Sequence, residues 1–299
     1  MKPTFSIIIP TYNQANFLKK AIQSVINQTF KDWELIVIDN FSNDNTVDVV
    51  NSFENENILF FQINNNGIIA KSRNKGIIES RGSYIAFLDS DDFWYSNKLE
   101  VINEIIKNSG KEFICHSEIW TYLDESKKSH VINYGPKHKS KYFKLLFNGN
   151  CISTSAVVVS KNILLKSGFF NESEKLITAE DYDLWLKIAD IKTDMEFTNI
   201  VLGEYLIHSQ SNSNASEKNM NAILECFYNH YVRKNYNGIY YSILKKRRVS
   251  IIMYVGARGM YFNKIYYKSF KLHLRSLRIW PFHIKTYFSL CQLLVTSIV

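Results

Sequence analysis

Four short apolar runs, at residues 5–9, 35–38, 59–63 and 84–88, are separated by segments whose apolar residues recur every three to four positions. The runs are rich in β-branched and aromatic residues and stop at Pro10, Asp39, Asn64 and Asp89, as buried strands do. Between the first two, Phe17, Leu18, Ala21, Ile22, Val25 and Ile26 form one face of a helix. Val47, Val50 and Phe53 mark a second helix after the polar cluster 39–46, and a third is expected over about 68–80, with Gly82 past its end. Strand–helix alternation of this kind predicts an α/β domain with a largely parallel sheet. Ligands of such sheets collect beyond the carboxyl ends of the strands, where Thr11, Asp39 and Asp91 fall together. Further strands are expected at 113–123, 130–134 and 153–160.

The fourth run ends in Asp89-Ser90-Asp91-Asp92. Three carboxylates within four positions repel one another unless a cation neutralises them. Magnesium or manganese is typically held by one or two carboxylates together with a ligand's phosphates. Capping the helix that starts near Asn97 would need only one acid. No glycine-rich dinucleotide or P-loop pattern occurs, so phosphates would be held by metal and basic side chains. Lys71 and Arg73, on the helix before the acidic strand, are candidates; solvated helix charge is the alternative. Trp94 would lie beside the metal site, either facing the ligand or packing against the sheet.

A second acidic cluster is Thr178-Ala179-Glu180-Asp181-Tyr182-Asp183, followed by Leu184, Trp185 and Ile188 on one helical face. Acids in the first turn suit the helix dipole, and Thr178 with Asp181 resembles a capping box. Capping accounts for one acid and leaves the pair Glu180-Asp181 to be explained.

Charge is distributed unevenly. Residues 220–299 hold 13 Lys+Arg against the single acid Glu225, a balance of +12, and the rest of the +8 chain is therefore at −4. This tail is aromatic-rich and reads as helices at 223–231 and 239–254, a basic amphipathic stretch at 266–278 and an apolar stretch at 287–299. The last is too short to span a bilayer but suits its interface. Docking on an anionic membrane surface is expected, with packing on the preceding domain or on another copy in a homo-oligomer as the alternative. No nucleic-acid recognition module is visible. The four cysteines form no C-x-x-C pair, and neither a signal peptide nor a membrane-spanning run is expected, so the chain reads as cytoplasmic.

Five stretches carry a resemblance: Ser6-Ile7-Ile8-Ile9-Pro10-Thr11-Tyr12-Asn13, Gln28-Thr29-Phe30, Glu34-Leu35-Ile36-Val37-Ile38-Asp39, Arg73-Asn74-Lys75-Gly76 and residues 84–92. In this order and spacing they resemble the family 2 glycosyltransferases, inverting enzymes of the GT-A fold that use nucleotide-diphosphate sugars. The resemblance implies a GT-A catalytic domain over 1–219, with a nucleotide-sugar half at 1–100 and an acceptor half at 101–219, followed by a basic helical extension at 220–299. It implies that Pro10, Thr11, Tyr12, Asp39 and Asn40 line the nucleoside pocket and that Lys71, Arg73, Asp89 and Ser90 serve the donor. Asp89 and Asp91 would form the D-x-D that holds the metal-bound diphosphate. Glu180-Asp181 resembles the family's E-D pair, with Asp181 as general base and Glu180 orienting it or binding the acceptor alongside Trp94. His208, in a stretch from 205 to 213, would lie near metal or diphosphate.

Two positions depart from the pattern: Asn40 stands where a second acid is usual, and Leu206 where an arginine is. Uridine is the expected base, with thymidine and guanosine open. The implied activity is transfer of a sugar to a hydroxyl of a glycan or lipid-linked glycan in bacterial surface polysaccharide synthesis. The alternative, which the two departures favour, is a non-catalytic nucleotide-sugar-binding or scaffold subunit of an assembly complex.

Overall fold

A computed structural model of the chain describes residues 2–124, 127–136, 141–208 and 216–296. The expected alternation is present: β1 (Phe5–Thr11), α1 (Ala15–Ile26), β2 (Trp33–Asp39), α2 (Thr46–Asn51), β3 (Ile58–Gln62), α3 (Ile69–Glu79) and β4 (Tyr84–Phe87). There follow β5 (Phe93–Trp94), α4 (Lys98–Ser109), β6 (Phe113–Tyr122), β7 (His130–Ile132), α5 (Lys141–Asn148), β8 (Val157–Ser160), α6 (Lys161–Ser167), α7 (Glu180–Asp190) and β9 (Met195–Ile207). Four helices complete the described chain: α8 (Ser216–Arg233), α9 (Ile239–Phe262), α10 (Tyr266–Ile279) and α11 (Ile284–Thr296).

The described strands join one sheet in the order β3-β2-β1-β4-β8-β6-β9-β5, with β7 on β6. β1 to β4 pair in parallel, whereas β8 runs antiparallel to both β4 and β6. Every residue of β1 and β2 is buried, as expected of parallel strands covered on both faces.

β1 continues past Pro10, where the sequence suggested it would stop. The Thr11 carbonyl accepts the Asn40 N–H, so Thr11 turns to β2 and Pro10, by alternation, turns toward β4. β4 ends at Phe87, opposite Ile8, so no neighbour there needs the N–H that proline lacks. The expected strand at 153–160 is a 3-10 turn over Thr154–Ala156 followed by β8, and that at 130–134 is three residues long.

Contacts divide the chain into two compact units. The first comprises 1–141, 151–172 and 184–208 and contains the whole sheet; the second comprises 142–150, 173–183 and 209–299. In the first, β1 packs against α3 closely enough that a Cβ on Gly76 would lie 2.5 Å from Ile8 Cγ2. Gln28 is fully buried and bonds Ser24, Tyr95 and the Leu99 amide, tying the end of α1 to the start of α4. Asn74 clamps both backbone groups of Phe170.

The turn into β4 is held by Glu34. Its buried carboxylate accepts from Ser6 Oγ at 2.6 Å, from the Arg81 backbone N–H and from Arg81 Nε. Burial alone would raise its pKa; these hydrogen bonds outweigh burial and hold it below the usual range. Gly82 lies against this network, where a Cβ would sit 2.5 Å from Ser6 Oγ and 2.6 Å from Ser6 N. Backbone cannot yield as a side-chain tip can. Gly82→Ala is therefore expected to destabilise the chain by about 1–3 kcal/mol, read as a lower urea midpoint at unchanged m-value. An unshifted midpoint would mean that the β1–β4 contact opens freely.

In the second unit, α9 and α10 meet through small polar residues: Ser250 Oγ lies 2.8 Å from Ser276 Oγ, and Ser269 Oγ donates to the Ala257 carbonyl. Among the described residues no helix is long and apolar enough to cross a membrane. The outward surface of α9 to α11 still exposes Ile239, Tyr240, Phe262, Tyr267, Phe282, Ile284 and Phe288. Of the expected apolar stretch 287–299, residues 297–299 lie outside the described residues.

Candidate functional site

The loop after β4 turns its three acids in different directions. Asp92 points inward at 3% exposure, where its Oδ2 accepts from Ser155 Oγ at 2.5 Å and its Oδ1 from the Leu206 N–H at 3.0 Å. Burial first, then the charges of Asp91, Glu118 and Asp89, push this carboxyl well above the aspartate range. Asp89 and Asp91 stay partly open, with side chains 28% and 21% exposed.

Each of these two has a partner. Arg73, brought in by α3, places Nη2 2.7 Å from Asp89 Oδ1. His208, just past β9, places Nε2 2.9 Å from Asp91 Oδ2, and the Phe17 ring stacks on the imidazole at 4.9 Å. Burial is the main reason that the Asp91 carboxyl is raised, the Asp89 charge is the next, and the His208 hydrogen bond opposes both. Carboxylate and imidazole donors suit a hard divalent cation such as magnesium or manganese, although among the described residues the ligand atoms of Asp89, Asp91 and His208 do not all come within 4.8 Å of one another. The stretch beyond His208, from residue 209, lies outside the described residues.

The residues expected at the nucleoside are in the same unit. Thr11 is 5% exposed, and its Oγ1 has no hydrogen-bond partner among the described residues. Tyr12 is half exposed beside the buried Pro10. Asp39 is fully buried, and its oxygens accept from Ser42 N–H, Ser42 Oγ and Gln62 Nε2, so it anchors the loop that leads to α2. Asn40 Oδ1 takes the Asn65 N–H at 2.8 Å. Ser90 Oγ donates to Gln14 Oε1, and Lys71 is half buried on α3.

Trp94 requires a correction. It is 2% exposed, its Nε1 donates to the Ser155 carbonyl, and Lys98 Nζ lies 3.2 Å over its ring. An indole covered in this way packs the sheet and offers no free face to a sugar. The same contacts reveal a residue that the sequence did not single out. Ser155 binds Asp92 and the Asp89 N–H through its hydroxyl, and Trp94 and Lys98 through its carbonyl. It fixes the acidic loop from a position 63 residues away from Asp92.

The second unit carries the other acidic pair. The expected Thr178 cap is replaced by its reverse: Glu180, 6% exposed, folds back so that Oε2 accepts the Thr178 N–H at 2.8 Å. Thr178 has φ +80°, a conformation that a β-branched residue adopts only when its surroundings impose it. Asp181 is more open. Its Oδ1 takes the Tyr182 N–H and its Oδ2 takes Asn150 Nδ2 at 3.1 Å. It lies in the wall of a cavity of about 600 Å³ whose far side is α9.

Behind it, Asp183 Oδ1 is 2.9 Å from His230 Nε2, and Tyr182 Oη donates to the Leu145 carbonyl. Asp183, Cys226 and His230 place ligand atoms within 4.8 Å of one another. The Arg233 guanidinium, 3.2 Å from His230 Nδ1, puts a positive charge beside them and disfavours a dication there.

Comparison with known proteins bears on these arrangements. The profile described as Glycosyl transferase family 2 matches residues 6–170. UDP-Glc:alpha-D-GlcNAc-diphosphoundecaprenol beta-1,3-glucosyltransferase WfaP of Escherichia coli is 32% identical over 69% of this chain and 78% of its own length. S. aureus TarS 1–349, solved in complex with UDP-GlcNAc, superposes with a TM-score of 0.63 at 16% identity, covering 92% of this chain and 81% of that one. The mannosyltransferase PcManGT from Pyrobaculum calidifontis, in complex with GDP-Man and Mn2+, superposes with a TM-score of 0.55 at 14% identity, covering all of this chain and 80% of that one. The fold is of the GT-A glycosyltransferase kind, with a helical extension.

Proposed function

The chain belongs to glycosyl transferase family 2, and from that premise we propose that it moves a hexosyl or N-acetylhexosaminyl group, with inversion, from a UDP-sugar to a hydroxyl of a lipid-linked glycan. The observation that carries the donor side is the pairing of Asp89 with Arg73 and of Asp91 with His208 in the loop beyond β4. Asp91, with Asp89 and His208, would hold manganese or magnesium, which when bound neutralises the leaving diphosphate. Arg73 positions Asp89. Thr11, Tyr12 and Asn40 face the nucleoside, and the unpartnered Thr11 hydroxyl supports that placement.

On the acceptor side Asp181 takes the hydroxyl proton. The acceptor oxygen then bonds to the anomeric carbon as the bond from that carbon to the diphosphate oxygen breaks, and nucleoside diphosphate leaves with the electron pair. The relative's UDP-Glc donor and diphosphoundecaprenol-linked acceptor, and the UDP-GlcNAc bound by TarS, support this choice of substrates. Synthesis of a bacterial surface polysaccharide such as lipopolysaccharide or capsule follows from such an acceptor. The basic, aromatic surface of α8 to α11 would rest on the anionic inner face of the membrane, peripherally.

The test is a thermal-shift and product-release assay with UDP-, dTDP- and GDP-sugars, each with manganese and with chelator. Metal-dependent stabilisation by the UDP-sugar and release of UDP on addition of lipid-linked acceptor are expected. Binding without release under any acceptor would reduce the chain to a nucleotide-sugar-binding subunit.

A further inference from the structure

We infer that α9 supplies the acceptor site, an amphipathic groove that holds a lipid diphosphate in a fixed order: sugar at Asp181, diphosphate at Arg248, hydrocarbon along Val255 to Phe262. This rests on the glycosyl-transfer reading above and specifies the acceptor end of it. The cavity of about 600 Å³ beside Asp181 is within the usual ligand-pocket range of about 300–1,000 Å³. It lies wholly within the second unit.

Its wall nearest Asp181 is polar. At one end Asn150 bonds Asp181, and the adjoining Asn148 carbonyl accepts Arg248 Nη1 at 3.2 Å. Gly149 lets the guanidinium approach, since a Cβ there would lie 2.8 Å from Arg248 Nη2. Arg248 is 94% buried by the 6% exposure of the residue, and its Nε has no hydrogen-bond partner among the described residues. A guanidinium in a cavity wall is a strong recognition element for phosphate oxygens.

From Arg248 the wall runs along α9 past Ile252, Val255, Gly256 and Phe262; Arg258, in the same wall, gives Nη1 to Gln292 Oε1 and lays its guanidinium 4.7 Å from the centre of the Phe262 ring. Ile252 is buried, while Val255 and Phe262 are 57% and 66% exposed, so the groove opens toward solvent at its far end. The helical rise puts Val255 roughly 10 Å beyond Arg248, which leaves the length of a diphosphate between them. An apolar surface that widens toward solvent suits a long chain lying along it and leaving at the end; a compact soluble ligand would leave it uncovered.

Farnesyl diphosphate, a short isoprenoid diphosphate, is the probe, titrated calorimetrically into the full chain. Wild type should bind it well above pyrophosphate alone or farnesol alone. Arg248→Gln should weaken binding about 10- to 100-fold, the value of one charge-assisted hydrogen bond to phosphate. Val255→Glu, on an exposed position that does not threaten folding, should weaken it about tenfold through lost apolar contact. Both variants should keep the thermal shift given by UDP-sugar and manganese.

Unchanged affinity in Val255→Glu, or farnesol binding as tightly as its diphosphate, would overturn the assignment. Displacement of the probe by phosphatidylglycerol vesicles would reassign Arg248 to membrane headgroups and likewise overturn it. A chain that neither binds nor turns over any nucleotide sugar fails the glycosyl-transfer reading instead, a result that the probe titration does not influence.

Discussion

Asp181→Asn is expected to lower kcat by about 10²–10⁴-fold, the usual contribution of a positioned general base, with donor affinity unchanged. The substitution keeps size and most hydrogen bonding. Asn150 Nδ2 donates to Oδ2 and the Tyr182 N–H to Oδ1, and an amide oxygen can replace one of these acceptors. What it cannot do is take a proton from an attacking hydroxyl. Glu180, the other member of the pair, is distinguished by burial: its carboxylate is spent on the Thr178 N–H, within a turn strained at φ +80°. Glu180→Gln should therefore lower the melting temperature more than Asp181→Asn does, and reduce kcat less. Initial rates at saturating donor, together with a donor thermal shift, separate the two roles. A loss of donor binding in Asp181→Asn, or a rate unchanged within twofold, would remove Asp181 as the base.

Much of this arrangement was legible because it is encoded locally. The strands announced themselves through β-branched runs, and the acids Asp89, Asp91, Glu180 and Asp181 stood at element ends where charge is exceptional. What the sequence could not show were distances across the chain. Ser155 braces the acidic loop from 63 residues beyond Asp92, and a lone serine after a threonine carries no signal of that role. Asp92 counted as one of three clustered carboxylates, but Ser155 and the Leu206 N–H draw it inward. Trp94 admitted two readings, and its burial beneath Lys98 Nζ decided for packing. The basic tail was read by composition, which records charge but not which helix faces carry it. The pairing of Ser250 with Ser276 and the placement of Arg248 beside Gly149 depend on helix rotation and could not be read from charge counts.

Asp91→Asn should abolish metal-dependent stabilisation by the donor and leave the metal-free chain at least as stable as wild type. Burial first, then Asp89, hold the Asp91 carboxyl above the ordinary aspartate range, against the hydrogen bond from His208. A carboxyl raised in the folded state binds more protons there than in the unfolded chain, so its effect on stability runs against pH. The metal-free protein therefore loses stability as pH rises through the range just above that of a normal aspartate. A cation must displace that same proton, so the stabilisation by manganese and donor grows over the same interval and fades below it. The two slopes have opposite signs, and Asp91 contributes to both. Melting temperatures from pH 4 to 8, with manganese and UDP-sugar or with chelator, should diverge as pH rises in wild type and run parallel in Asp91→Asn. Retention of the divergence in the variant would shift the cation to Asp89 alone, and its absence from wild type would mean that the carboxyl pair binds no cation in solution.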